Sequence, residues 1–122
     1  MNKESSVKLL KLKETDIQRQ ILQFLKYRND VVLYGRINTA GTYDPIRHCR
    51  RKNPYLLRGF PDIFGFIKPK HEETYLYTPF YIECKTQGNK LSEAQMIFRK
   101  YAEESGAIYI VAYGLKEVES ML

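Results

Sequence analysis

The chain has 122 residues, which fits one domain and hardly two. Its 43% apolar and 28% charged residues describe a globule able to hold a modest core without staples, and the lack of any run of about 18 apolar residues excludes a membrane span. A formal net charge of +6 favours a polyanionic partner, nucleic acid before any other.

The opening segment MNKESSVKLLKLK has neither a long apolar stretch nor a small-residue cleavage site, so cytoplasmic residence is the expectation. Cys49 and Cys84 form no C-x-x-C pair. A zinc site would have to combine them with His48 and His71 at a spacing that matches no common zinc pattern. One surface thiol and one core thiol are expected instead.

Residues 1–13 carry four lysines and read as a basic lead-in to a single domain over residues 14–122. A helix is predicted over residues 13–28. Ile17, Ile21, Phe24, Leu25 and Arg28 recur at helical spacing, and Thr15 with Gln18 offers a capping box. Residues 31–34 (VVLY) read as a short buried strand. Residues 36–60 show no clear periodicity and read as a long loop. They set Arg36, Arg47, Arg50, Arg51, Lys52 and Arg58 against one acid, Asp44, and these six cations are the candidate phosphate contacts.

Residues 62–67 (DIFGFI) and 80–86 (FYIECKT) read as two strands, antiparallel to each other, around a polar, proline-bounded connection. Gln87-Gly88-Asn89 is turn chemistry. Ser92 and Gln95 make an S-x-x-Q capping box for a second helix, with Leu91 and Met96 placed as a hydrophobic staple. Its apolar positions are Ala94, Ile97, Phe98, Tyr101 and Ala102, and Gly106 suits its exit. Residues 107–113 (AIYIVAY) read as a strand buried on both faces, and residues 115–122 as a short amphipathic helix. The order α-β-β-β-α-β-α predicts an α/β layer fold around one small mixed sheet.

Chemistry concentrates on residues 80–86. Alternation along a strand sends Glu83 and Lys85 to one side and Ile82 and Cys84 to the other. A bare E-x-K is more often an exposed ion pair than a site. Asp62, which opens the partner strand behind Pro61, changes the balance. Two carboxylates brought close repel one another unless a cation lies between them, and an oxygen-rich site suits Mg²⁺ or Mn²⁺. With a lysine alongside to orient or deprotonate water, this is the minimum equipment for phosphodiester hydrolysis.

Pro61-Asp62 followed some twenty residues later by Glu83-Cys84-Lys85 resembles the PD-(D/E)XK motif of restriction-type nucleases. The segments ETDIQ, RGFPDIFG, YIECKTQGNKLSEAQ and GAIYIVAYG, in that order over residues 14–114, resemble its VRR-NUC (virus-type replication–repair nuclease) branch. The resemblance implies a restriction-endonuclease-like core and a Mg²⁺- or Mn²⁺-dependent endonuclease acting on DNA. It further implies branched, flapped or four-way substrates and a homodimer. Asp62 and Glu83 match the metal-binding acids, with the backbone carbonyl of Cys84 as a further ligand. Glu14 matches a first-helix glutamate that reaches toward the metal, Lys85 the catalytic lysine, and Gln95 a glutamine near the active centre. Glu14 also sits where an acid favours the positive end of a helix, and Gln95 already has its capping role. Two other readings stay open at this stage: a non-catalytic nucleic-acid-binding module, and a nuclease subunit of a larger replication or repair assembly. Acids facing a phosphate argue against pure binding.

Overall fold

The computed structural model describes residues 12–37, 42–51, 57–69 and 76–122. The lead-in before Leu12, Lys52 and His71 lie outside them. The elements are α1 (Glu14–Lys26), β1 (Val31–Arg36), β2 (Thr42–Asp44), β3 (Cys49–Arg51), β4 (Ile63–Ile67), β5 (Thr78–Cys84), α2 (Glu93–Glu104), β6 (Ile108–Ala112) and α3 (Leu115–Met121). The main sheet has the order β1-β4-β5-β6. The first three strands are antiparallel neighbours, as read for β4 and β5, and β6 joins β5 in parallel. A parallel neighbour needs a long crossover, and α2 supplies it.

Alternation sorts the sheet into two faces. Phe80, Ile82, Cys84, Ile110 and Ala112 pack against Ile17, Ile21 and Leu25 of α1 and Val118 of α3, forming the main core. The other face is aromatic. Phe98 of α2 stands edge-on to Tyr81 and to Phe60, each at 5.1 Å between centroids, a geometry that ring quadrupoles favour. Helices therefore cover both faces of one mixed sheet, and the α/β reading holds.

Five local expectations change. β1, read as a buried strand, is the edge of the sheet and leaves Val32 and Leu33 56% and 52% exposed. The helix starts at Glu14 with Lys13 as N-cap, and Asp16, not the Thr15–Gln18 pair, reaches back, accepting from the Lys13 N–H at 3.2 Å. Lysine offers no side-chain acceptor, so only half a capping box forms. The loop at 36–60 is not structureless, because β2 and β3 pair as a separate antiparallel ribbon. Asp44 nucleates its turn by accepting from the N–H groups of Ile46 (2.9 Å) and Arg47 (3.2 Å). The strand read at 80–86 ends at Cys84, so Lys85 lies just past it. Finally, Met96, Ile97 and Tyr101 of α2 are 54%, 50% and 62% exposed, so the staple and the outer part of the apolar stripe face outward.

Two glycines position the site. Gly59 has φ +75°, and a Cβ there would lie 2.3 Å from the carbonyl oxygen of Ala94. Only glycine lets the turn before Pro61 lie this close to the first turn of α2. At Gly65 an added Cβ would meet the Phe80 ring at 2.3 Å and the Leu33 carbonyl oxygen at 2.5 Å, so β4 depends on glycine in mid-strand.

Candidate active site

Asp62 stands one residue before β4, and its backbone carbonyl accepts from the Ile37 N–H at 2.9 Å. The pairing of Ile63 with Ile82 places Asp62 beside the end of β5. Its carboxylate accepts from the Cys84 N–H at 2.8 Å, across 22 residues of sequence. Glu83 is 4% exposed, on the aromatic face, and pairs with Val111 of β6. Although Lys85 is outside β5, its N–H continues the ladder to the Ala112 carbonyl at 2.9 Å. Its Nζ lies 3.9 Å from Glu83 Oε1, within ion-pair range but outside hydrogen-bond range.

Gln95 joins α2 to this group. Its Oε1 accepts from the Ser92 N–H at 2.8 Å, and its own N–H donates to Ser92 Oγ at 3.2 Å. The capping box fixes the amide orientation, and Nε2 then donates to Glu83 Oε1 at 2.8 Å. One side chain thus both caps α2 and donates to Glu83.

The electrostatics describe an anionic pocket under tension. Burial pushes the Glu83 carboxyl up to about 8; repulsion by Asp62 and Glu14 adds to the rise, and Lys85 partly opposes it. Asp62 is also raised, chiefly by burial, against the Cys84 N–H, Lys85 and Arg36, which favour its charge. Arg36, named only as a phosphate contact, is thus also electrostatically coupled to the site. Glu83 Oε2 is buried without a hydrogen-bond partner. Two desolvated carboxylates, one with an orphaned oxygen, are a donor set that a hard divalent cation satisfies. Among the described residues no three His, Cys, Asp or Glu side chains converge into a ready cage. Glu14 bears on Glu83 through charge, while the Cys84 contribution would come from its backbone.

The Cys84 thiol is fully buried and raised by burial, so it is inert packing, while Cys49 is exposed; the expected pair of core and surface thiols is found. Of the remaining candidate cations, Arg47, Arg50 and Arg51 lie on the ribbon, and Arg58 lies in the turn before Gly59. Arg51 pairs with Asp44 at 3.1 Å, which partly neutralises it.

The sequence assigns no burial to Tyr109's hydroxyl and gives Gln18 only a capping part. Tyr109 is buried with its hydroxyl unpartnered, and the Glu83 and Asp62 charges bear on it. Gln18 is 7% exposed with an unpartnered Oε1. Its signal was present as a polar residue one helical turn past Glu14, next to the buried stripe.

Comparison with known families matches residues 13–116 to the VRR-NUC domain. No match was found among curated proteins or solved structures.

Proposed function

The chain belongs to the VRR-NUC family, a nuclease domain of the PD-(D/E)XK kind, and from that premise we propose that it is a metal-dependent endonuclease hydrolysing phosphodiester bonds in DNA. The observation that carries the reading is the pairing of half-buried Asp62 with buried Glu83, whose Oε2 is left without a partner. Two adjacent acids on a chain of charge +6 have little reason to face a polyanion unless a cation joins them.

Asp62, Glu83 and the Cys84 carbonyl would hold Mg²⁺ or Mn²⁺, with Glu14 contributing from α1. Bound there, the ion supplies Lewis acidity and lowers the pKa of water. Lys85, tethered through its backbone to β6, orients the attacking water. Gln95 holds Glu83 through Oε1 and leaves Oε2 for the metal. Arg36, Arg47, Arg50, Arg51, Lys52 and Arg58 bind phosphates and set the register of the substrate.

The substrate class is branched, flapped or four-way DNA, cut by a homodimer. Two strands need two centres, and α2 exposes Met96, Ile97 and Tyr101, residue types suited to an interface. The test is incubation of purified protein with labelled linear, flapped and four-way DNA in Mg²⁺, Mn²⁺ or EDTA. Cleavage of branched forms in either metal and none in EDTA is the expected outcome; uniform inactivity on all of them would remove the reading.

A further inference from the structure

A cleft of about 490 Å³ lies between α1 and the edge strand β1, outside the group formed by Asp62, Glu83 and Lys85. Thr15, Gln18, Arg19 and Lys26 line it from the helix, and Tyr34 and Arg36 from the strand. Its lining holds three cations and no acid. The nearest opposing charge on the helix, Asp16, lies 3.7 Å from Arg19, in a pair 72% and 40% exposed that water screens. Gln18 is more than nine-tenths buried there with Oε1 unpartnered, and a buried amide oxygen normally has a partner.

One end of the cleft lies beside the candidate site, because Arg36 pairs with Ile63 across β1 and β4 and the next residue, Ile37, donates its N–H to the Asp62 carbonyl. Arg36 bears electrostatically on Asp62, and Glu14, one helical turn before Gln18, bears on Glu83. From there the cations follow the helix. Arg19 and Lys26 are seven residues apart, about 10 Å along the axis. That is the rise of about three nucleotides at 3.4 Å each along one strand of a duplex. Tyr34 is half-buried in the wall and offers a ring to a base, and sequence-tolerant stacking of this sort is how single strands are held.

We infer that the α1–β1 cleft is the path of the cut DNA strand on one side of the scissile phosphate, with Arg36, Arg19 and Lys26 following its phosphates, Tyr34 stacking on a base and the Gln18 amide meeting a base or sugar edge. The inference rests on the nuclease reading and adds to it a strand path on one side of the cut. It uses residues on α1 and β1, of which only Arg36 belongs to the basic segment 36–60.

The test uses the Asp62→Asn protein, so that substrate persists, and flapped DNA carrying 5-iodouracil at successive positions around the cut site mapped with wild type. Irradiation should cross-link Tyr34 to positions within about three nucleotides on one side of that site and not the other. Tyr34→Leu should lose the cross-link. The Arg19→Ala/Lys26→Ala pair should flatten the dependence of log K on log salt by about 1.4–1.8, from two lost phosphate contacts at 0.7–0.9 each. Lys116→Ala, an exposed charge on α3, should leave the slope unchanged. If wild type cuts DNA with Mg²⁺ but no cross-link reaches Tyr34 and the slope stays put, the strand path is wrong and the nuclease reading stands. If a Tyr34 cross-link and the slope change appear while wild type never cuts, the cleft binds DNA but is not the path of a cut strand, and the inference falls together with the nuclease reading.

Discussion

Gln95 is tied at both ends: its Oε1 and backbone N–H close the box with Ser92, and its Nε2 holds Glu83. Replacing it therefore has a separable signature. Gln95→Ala should cost about 1 kcal/mol for the cap and about 0.5–1.5 kcal/mol for the lost hydrogen bond to Glu83. Gln95→Glu retains an acceptor for the Ser92 N–H but sets a carboxylate against Glu83, so it should unfold near Gln95→Ala at neutral pH yet lose more cleavage. Thermal melts beside rates would show the split, and equal loss of both properties in both variants would contradict the dual role. Lys85→Ala should lower the rate by about 10²–10⁴ and leave metal affinity intact, since lysine is not a ligand. The raised Glu83 sets a pH dependence of definite sign. A folded-state value near 8 means that the metal-free native protein holds a proton which the unfolded chain releases near 4.5. Stability of the metal-free protein should therefore be full below about pH 4.5 for this group and fall as pH rises toward 8. Metal affinity should rise over the same window, because the ion must displace that proton. Melts at stepped pH, with and without Mg²⁺, measure both.

At the scale of elements, the glycines of RGFPDIFG carry the arrangement. Gly65→Ala would drive a methyl into Phe80 and the Leu33 carbonyl, and overpacking of this kind costs about 1–3 kcal/mol. Gly59→Ala adds a φ penalty to a clash with the backbone of α2 and should move the Asp62 turn away from Gln95. A melt unchanged by either substitution would contradict the packing described. The elements themselves were largely legible. Both capping signals flanking α2, Ser92–Gln95 at its start and Gly106 after its end, lie where the rules put them, and Gly106 takes φ +86°. The spacing of Glu83 and Lys85 told their common side, and Pro61-Asp62 told that a second carboxylate opened the neighbouring strand. The β2–β3 ribbon was not legible, because three-residue strands around an Asp44-built turn are too short to show a period of two. Nor did the sequence tell that Gln95 reaches Glu83, since a contact across 12 residues depends on how closely α2 approaches β5. The ribbon now refines the phosphate contacts. Neutralising Arg47, Arg50 and Arg51 should reduce the salt slope by less than about 2.7, three full contacts at 0.9 each, because Arg51 is already paired with Asp44. A slope that does not change would remove the ribbon from the interface.

The whole molecule joins a positive body to a small anionic pocket. Among the described residues no helix is long and apolar enough to cross a membrane, and the charge of +6 favours a polyanion while the pocket buries Glu83 and half-buries Asp62. A homodimer built on α2 should show twice the 14.4 kDa chain mass by light scattering, and Tyr101→Glu should convert it to monomer. Wild type found only as fully active monomer would contradict that assembly. The central claim is that the Asp62–Glu83 pair holds the metal that cuts DNA. Asp62→Asn isolates it, because the change removes a ligand and a negative charge together while leaving the side chain's size almost unchanged. The most direct measurement is cleavage and binding of the same flapped DNA by wild type and Asp62→Asn, in Mg²⁺ and in EDTA. The expected result is cleavage by wild type in Mg²⁺ alone, with Asp62→Asn inactive yet binding equally or more tightly. Cleavage by wild type in EDTA, or by Asp62→Asn protein free of contaminating nuclease, would contradict it.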